Sequence, residues 1–365
     1  MQDRGVGIVA LFAVFVSMLA VVASASEIPA TVDAIAARLE YNQFNPGGSY
    51  GQWEGDWAYT GSIVAGMVDA YECTENELYR ASAISGAKFI LREARCGAFL
   101  GDETYALFRL GVIEGGTDES HWQAIVDRFF HDVGRTAQDV CDYTDLYREV
   151  DSSTAVFHLA YFAVAAHEVG VEGAAHWRQA LIDHLARVGD NKAEFPVMAL
   201  GVATWALIQT GPLDDTLVDR PGAEPYWTGV RLRDLPTLLA GHQVPDGEPF
   251  SGSFYWRFDH TFGPFPGLVA GFTEDAVYGT LGLVAFASLE ENADREDLKL
   301  AIRAACDALL AGVDTDGTVY EHLSHEGRMY FAYAGEMLQA LCRVEEYLKA
   351  VAEAEPAQET VPVGQ

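Results

Sequence analysis

The chain has 365 residues, with 54 acidic side chains against 23 basic ones and a formal net charge of −31. A surface that negative repels nucleic acid and anionic lipid, so neither is expected as a partner, and it repels a polyanionic glycan unless a cation such as Ca²⁺ intervenes. Five cysteines (Cys73, Cys96, Cys141, Cys306 and Cys342) lack the C-x-x-C spacing of a zinc site, and their odd number argues against a disulfide-stapled fold.

Residues 1–25 read as a signal peptide. Arg4 precedes an apolar run from Val6 to Val22, and Ala23-Ser24-Ala25 has the small-x-small form that signal peptidase cuts. Cleavage near Ala25-Ser26 makes the mature chain secreted or periplasmic, with no later segment entering a membrane. An uncleaved anchor is the alternative, because the run is nearly long enough to span a bilayer. In an oxidising compartment, Cys96 with Cys141 and Cys306 with Cys342 are the candidate bridges, with buried free thiols as the alternative.

Beyond the leader, apolar residues recur with helical period and strand alternation is nearly absent. Amphipathic helices are expected at about 30–40, 75–94, 119–134, 174–188, 229–240 and 294–311, the second opened by a capping box in Thr74-Glu75-Asn76-Glu77. Between them lie six helices apolar on every face, at about 57–72, 103–112, 152–169, 196–210, 274–289 and 329–349. Each follows a short loop rich in acids, glycine and aromatics: Gly55-Asp56-Trp57-Ala58-Tyr59, Gly101-Asp102-Glu103-Thr104-Tyr105, Val150-Asp151-Ser152-Ser153-Thr154, Ala193-Glu194-Phe195-Pro196, Phe272-Thr273-Glu274-Asp275-Ala276 and Gly327-Arg328-Met329-Tyr330. These lead-in loops recur at intervals of roughly 45 to 55 residues, with one stretched interval of about 80, the period of stacked helical hairpins.

A helix apolar all round must be buried on every side, and an amphipathic one covers it from outside. About twelve helices alternating outer and inner close most simply into an all-α (α/α)6 toroid, with an open solenoid as the alternative. One domain is expected over residues 26–352, because a ring has one continuous core. Residues 353–365, rich in Glu, Pro and Gln, read as a disordered tail. The stretched interval holds 242–273, whose aromatic content argues for an ordered, functional loop.

Three loops share a shape: Gln43-Phe44-Asn45-Pro46-Gly47-Gly48-Ser49-Tyr50, Gln243-Val244-Pro245-Asp246-Gly247 and Asp314-Thr315-Asp316-Gly317-Thr318-Val319-Tyr320. The glycine takes a left-handed turn, the acid bonds neighbouring amides, and the aromatic plugs the next hairpin. They resemble the Q-x-x-D-G-S/T-aromatic turns of the α/α-toroid superfamily, which includes terpenoid cyclases, protein prenyltransferases and some pectate lyases. The scaffold also resembles six-hairpin glycosidases and polysaccharide lyases, which are commonly secreted. The resemblance implies the toroid fold and hardly specifies the reaction. The D-x-D-D of the cyclases is missing, and Asp214-Asp215 with Asp219 misses the D-D-x-x-D diphosphate motif by one position. The Cys/His/Asp zinc set of the prenyltransferases has no evident counterpart, so isoprenoid chemistry is disfavoured.

In a toroid the lead-in loops gather at one end of the ring, where aromatic platforms and carboxylates suit the C–H faces and hydroxyls of sugars. Trp53, Trp57, Tyr105, Trp256, Arg257, Tyr320 and Arg328 are therefore expected to bind substrate. Glycoside hydrolysis needs one carboxyl to protonate the leaving oxygen and another to act as base or nucleophile, for which Glu54, Asp56, Asp102, Asp151 and Asp259 are the candidates. Asp56, Asp102 and Asp151 sit at helix N-termini, where the dipole favours a carboxylate, and the same placement fits a plain helix cap. A lyase would instead need a base and a charge-tolerant group beside a uronate. Tyr255, Arg257 and His260, with His322, His325 and Arg328, could supply them, and Ca²⁺ held by acidic loops would neutralise the uronate. Asp314-x-Asp316-Gly317 is half an EF-hand pattern. Among the helical histidines only His158, near the start of an inner helix, is a site candidate. No G-x-S-x-G, H-E-x-x-H or P-loop occurs in the sequence. The expectation is a secreted carbohydrate-active enzyme, a glycoside hydrolase ahead of a polysaccharide lyase, acting on a polysaccharide or oligosaccharide. The alternative is a toroid that binds a glycan or protein partner without catalysis.

Overall fold

The computed structural model of the chain describes residues 26–44, 51–53, 59–93, 99–113, 119–147, 150–262 and 267–354. The expected leader, Glu54, Asp56, Trp57, Cys96 and residues 355–365 lie outside the described residues. Thirteen α-helices are described, and they sort by polarity as the sequence predicts. The inner ones, buried along most of their length, are α2 (Thr60–Thr74), α4 (Gly101–Ile113), α7 (Ser152–Val169), α9 (Pro196–Gln209), α11 (Thr273–Ala287) and α13 (Phe331–Ala354), the last ending in a charged, partly exposed stretch. Around them lie α1 (26–42), α3 (Glu77–Glu93), α5 (Glu119–Val133) with the short α6 (Ala137–Thr144), α8 (Ala174–Leu185), α10 (Leu235–Gly241) and α12 (Glu296–Ala311).

The inner helices contact one another in the order α2, α4, α7, α9, α11, α13, and α13 packs back on α2. That last seam closes the ring, so the fold is an (α/α)6 toroid and not an open solenoid. Close approach at the seams depends on glycine. Gly66 of α2 lies on the Gly335 backbone of α13, and Gly201 of α9 lies on the Tyr278–Gly279 backbone of α11. A Cβ at either position would run into main chain, which cannot yield as a side chain can.

The turn glutamines have a mechanical role. Gln243 donates its amide to the Gly252 carbonyl (2.9 Å) and to the Ala301 carbonyl on α12 (2.8 Å). Gln43 repeats the pattern on the Gly51 carbonyl (2.8 Å) and the Ser82 carbonyl on α3 (3.0 Å). Each ties its loop to an outer helix. Gly247 and Gly317 adopt the expected left-handed conformation, with φ of +85° and +79°.

Four local expectations are corrected. Residue 75 does not begin α3: Glu75 (φ +56°) closes α2, and Asn76 caps α3 by accepting from the Leu78 N–H at 3.1 Å. The outer helix expected over about 229–240 shrinks to α10, because the Val218 N–H donates to the Val230 carbonyl at 2.9 Å and holds that stretch in a loop. The expected start of the last inner helix is an antiparallel hairpin, β1 (Tyr320–His322) with β2 (Glu326–Met329), and α13 runs on to Ala354, so residues 353–354 are helical. Of the two readings left open for Cys306 and Cys342, the structure shows the buried free thiols; Cys342 has Cys73 as its thiol neighbour. No helix among the described residues is long and apolar enough to cross a membrane.

The α2–α13 seam makes a direct prediction. Gly66→Ala forces two helix backbones apart and should cost about 2–3 kcal/mol, at the upper end of overpacking effects. Gly241→Ala, which meets nothing within 4 Å, should stay within about 0.5 kcal/mol of the parent. Chemical denaturation of both variants checks this; equal stabilities would show that the seam is not tight.

Candidate active site at the inner-helix N-termini

All six inner helices begin at one end of the ring, and each first turn leaves backbone N–H groups without intrahelical partners. Acids answer those groups across the seams. Asp102, fully buried at the start of α4, accepts the Ser62 N–H of α2 at 3.0 Å. Asp275, fully buried at the start of α11, accepts the Met198 N–H of α9 at 2.8 Å. Asp151 caps α7 through the Ser153 and Thr154 N–H groups (2.9 and 3.0 Å) and reaches the Glu194 N–H before α9 at 2.7 Å. For Asp102 and Asp151, the bonds describe helix staples.

A second set of acids between the staples is less committed. Glu274 is half-buried, and its Oε2 has no hydrogen-bond partner among the described residues. Burial, reinforced by the charges of Glu194, Glu321 and Asp151, pushes its carboxyl up to about 8. Glu194 is the more exposed of the group, and partial burial with Asp151 and Glu321 nearby raises it as well. At the neighbouring seam, burial and Asp102 push Glu103 up to about 8, although its Oε2 accepts the Leu100 N–H at 2.8 Å. Asp102 Oδ1 stands 3.4 Å from His158 Nδ1, and neither atom has a hydrogen-bond partner among the described residues.

Aromatic rings border these acids. Burial and then Glu274, Glu336, Asp102 and Glu194 push the Tyr59 hydroxyl up to about 12, which locates it among those carboxylates, while its side chain stays 43% exposed. Tyr333 is raised by burial and then by Glu274 and Glu321. It meets Tyr330 edge-on at 5.3 Å, and Arg328 donates to the Tyr330 hydroxyl at 2.8 Å. The structure therefore gathers Asp102, Asp151, His158 and Arg328 of the expected residues, and adds Glu103, Glu194, Glu274, Tyr59, Tyr330 and Tyr333. Most of the added residues stand in the lead-in loops, but nothing local in the sequence separates a staple from a free acid.

The other expected residues serve elsewhere. Trp53 is wholly buried and donates its indole N–H to the Leu39 carbonyl at 2.8 Å, so it is core. In the long loop, the Asp190 carboxylate clamps the Phe258 and Asp259 N–H groups (2.8 and 3.0 Å), while Arg257 donates to the Asp190 carbonyl. Asp259 accepts from the Thr261 N–H and hydroxyl at 3.0 and 2.6 Å. Tyr255 stacks on His260 at 3.8 Å, and His260 meets His242 at 3.0 Å. Burial, with His260 beside it, lowers His242 to about 4. Trp256 is half-buried under Arg257, whose guanidinium lies 5.4 Å from its ring. The charges acting on His260 are Asp259, Asp190 and Glu248, and none of them acts on Glu274. The loop is thus a cluster separate from Glu274, within which the indole N–H of Trp256 and the Nε of Arg257 have no hydrogen-bond partner among the described residues. His322 is buried, pinned by the Ala270 carbonyl and Ser324 hydroxyl, each at 2.8 Å. Tyr320 donates to Asp314 at 3.0 Å and stacks on His325. Tyr105 lines the opposite mouth of the ring, its hydroxyl 3.1 Å from Arg109.

The half EF-hand is likewise engaged by protein. Asp316 accepts the Thr318 N–H and pairs with Arg38, and Asp314 pairs with His325. Among the described residues no group of three or more His, Cys, Asp or Glu side chains is arranged to hold a metal ion.

The closed ring of inner helices under a covering layer of outer ones defines an (α/α)6 toroid. No family model matches the sequence, and no curated protein matches it. Solved structures do share the fold. The GH76A α-1,6-mannanase from Salegentibacter sp. is 12% identical with a TM-score of 0.54, covering 88% of this chain and 99% of its own. A polysaccharide lyase is 14% identical with a TM-score of 0.56, covering 90% and 99%. A family 88 glycosyl hydrolase from Bacteroides vulgatus is 12% identical with a TM-score of 0.52, covering 88% and 99%. At such identities the likeness is one of fold.

The raised acids carry a stability signature. A carboxyl held near 8 binds its proton more tightly folded than unfolded, so the stability it adds is complete below about 4.5, the ordinary glutamate value, and is lost as pH rises through about 8. The melting temperature of the parent should therefore fall between about pH 4.5 and about pH 8, and Glu274→Gln, which mimics the protonated acid, should flatten that fall. Equal slopes for both proteins would contradict the burial of Glu274.

Proposed function

We propose that the protein is an exported glycoside hydrolase acting on a neutral oligosaccharide or polysaccharide, with Glu274 as general acid and Glu194 as its basic partner. The observation that carries this reading is a carboxyl pushed up to about 8 that has one oxygen unbonded and other acids around it. Among mutually repelling carboxyls, the more exposed Glu194 ionises first and the more buried Glu274 keeps its proton. Hydrolysis uses two carboxyls whose proton affinities are pushed apart in this way. The proton passes from Glu274 to the glycosidic oxygen as the C1–O bond breaks, while a water molecule adds to C1 and gives its proton to the Glu194 carboxylate. Tyr59, Tyr330 and Tyr333 offer ring surfaces for the sugar.

A hydrolase is favoured over a lyase because the bases a lyase would use are poorly disposed. Tyr59 is pushed up to about 12, away from a phenolate at neutral pH, and His322 is held in a buried scaffold. The negative end of the ring also repels a uronate, which favours neutral sugars. The fold-level neighbours lend support. One α-1,6-mannanase structure is an inactive variant with two consecutive aspartates replaced, bound to α-1,6-mannotriose. This chain has two consecutive acid pairs at inner-helix starts, Asp102-Glu103 and Glu274-Asp275. The signal-like leader supports export of such an enzyme.

The test is a screen of neutral glycans, including α-1,6-mannan, for new reducing ends, followed by Glu274→Gln and Glu194→Gln on the substrate found. Each variant should lose about 10²–10⁴-fold in kcat/KM with the fold intact, the usual contribution of an acid or base. The alkaline limb of the parent's pH profile should fall near 8. Unimpaired turnover in both variants, or glycan binding without turnover by the parent, would replace this mechanism, the latter with a binding module.

A further inference from the structure

The opposite mouth of the ring holds a cavity of about 1010 Å³ formed by the C-terminal ends of the inner helices. It is divided from the carboxyl cluster by a buried layer at mid-height. There the Tyr161 hydroxyl meets those of Tyr278 (3.3 Å) and the Gln339 Oε1 (3.1 Å), and Gln339 donates to the Ser62 carbonyl at 3.2 Å. Nothing in the proposed hydrolysis uses this second mouth.

Its chemistry differs from that of the first. Val164, Leu281, Val284 and Val351 give it aliphatic walls, and Tyr105, Trp205 and Tyr347 give it aromatic ones. Small residues make the room: Ala285 and Ala287 at the end of α11, Ala350 and Ala354 at the end of α13. The cations on its lining are already matched. Arg109 pairs with Asp69 at 2.7 Å and with Glu72, Arg343 pairs with Asp69 and Glu346 at 3.4 and 2.7 Å, and Lys299 pairs with Glu296 at 2.7 Å. Glu168 and Asp294 also line it and form no ion pair among the described residues. An anion finds no unmatched positive charge here and meets two further carboxylates. A hydroxylated neutral head finds acceptors in those carboxylates, and an apolar body finds walls against which its surface leaves water.

We infer that this cavity is a second ligand site, for an uncharged amphiphile with a mainly apolar body and a hydroxylated head. The probe pair that tests it shares one aromatic body: N-phenyl-1-naphthylamine is neutral, and anilinonaphthalene sulfonate carries a sulfonate. With the full chain, the neutral probe should give a saturable, one-to-one fluorescence rise with quenching of tryptophan emission from Trp205. It should bind at least about tenfold more tightly than the sulfonate. Ala285→Trp, which fills the cavity, should abolish that binding. Ala350→Trp, at an exposed position on the rim, should weaken it about tenfold and decides the matter if the first variant does not fold. Glu274→Gln should leave probe binding unchanged, so this inference and the hydrolase reading fail separately. No saturable signal, equal binding of the sulfonate, or full affinity in a folded Ala350→Trp protein would overturn it.

Discussion

Six largely apolar helices can be buried only against one another and under a covering layer, and the rest of this molecule depends on that constraint. A row of such helices leaves two apolar flanks. The α13–α2 seam removes both, and it forms only because Gly66 and Gly335 let two backbones touch. Once the ring is closed, every inner helix starts at the same end, and its unsatisfied N–H groups converge there with their dipoles aligned.

That convergence explains the acids. Asp102, Asp151 and Asp275 answer backbone donors on neighbouring helices, so they hold the seams as much as they cap. Acids beside them are carried inward next to other carboxyls: Glu103 has one backbone donor, and one oxygen of Glu274 has none. Glu274 and Glu103 therefore hold protons that a solvated carboxyl would release. A protein with net charge −31 thus keeps neutral carboxyls at the centre of an acidic face. One architectural requirement supplies both the scaffold and the candidate chemistry.

Most of the fold was legible in the sequence. The contrast between all-apolar and one-faced helices sorted inner from outer, and the starts of α7 and α9 fall where the lead-in loops place them. The short α10 and the 320–329 hairpin were not legible, since both depend on loop contacts that helical periodicity does not register. The site was legible only as an end of the ring. Asp259 and His260 look reactive along the chain, yet a clamp from Asp190, almost seventy residues earlier, and a stack on Tyr255 engage them. Glu274 stood in a recognised lead-in loop, but its raised carboxyl is a consequence of burial and of Glu194, Glu321 and Asp151 arriving from three other elements. The cavity at the far mouth arises from small residues on two helix ends, which read along the chain as ordinary helix formers.

The most direct measurement is an infrared difference spectrum between the parent protein and Glu274→Gln at neutral pH. A protonated carboxyl has a C=O stretch well separated from that of a carboxylate. If Glu274 holds its proton as described, the parent shows that band at pH 7, loses it as pH rises through about 8, and the variant lacks it throughout. A carboxylate band for Glu274 at pH 7 would contradict the burial that sets up the site, and the general acid would have to be sought elsewhere.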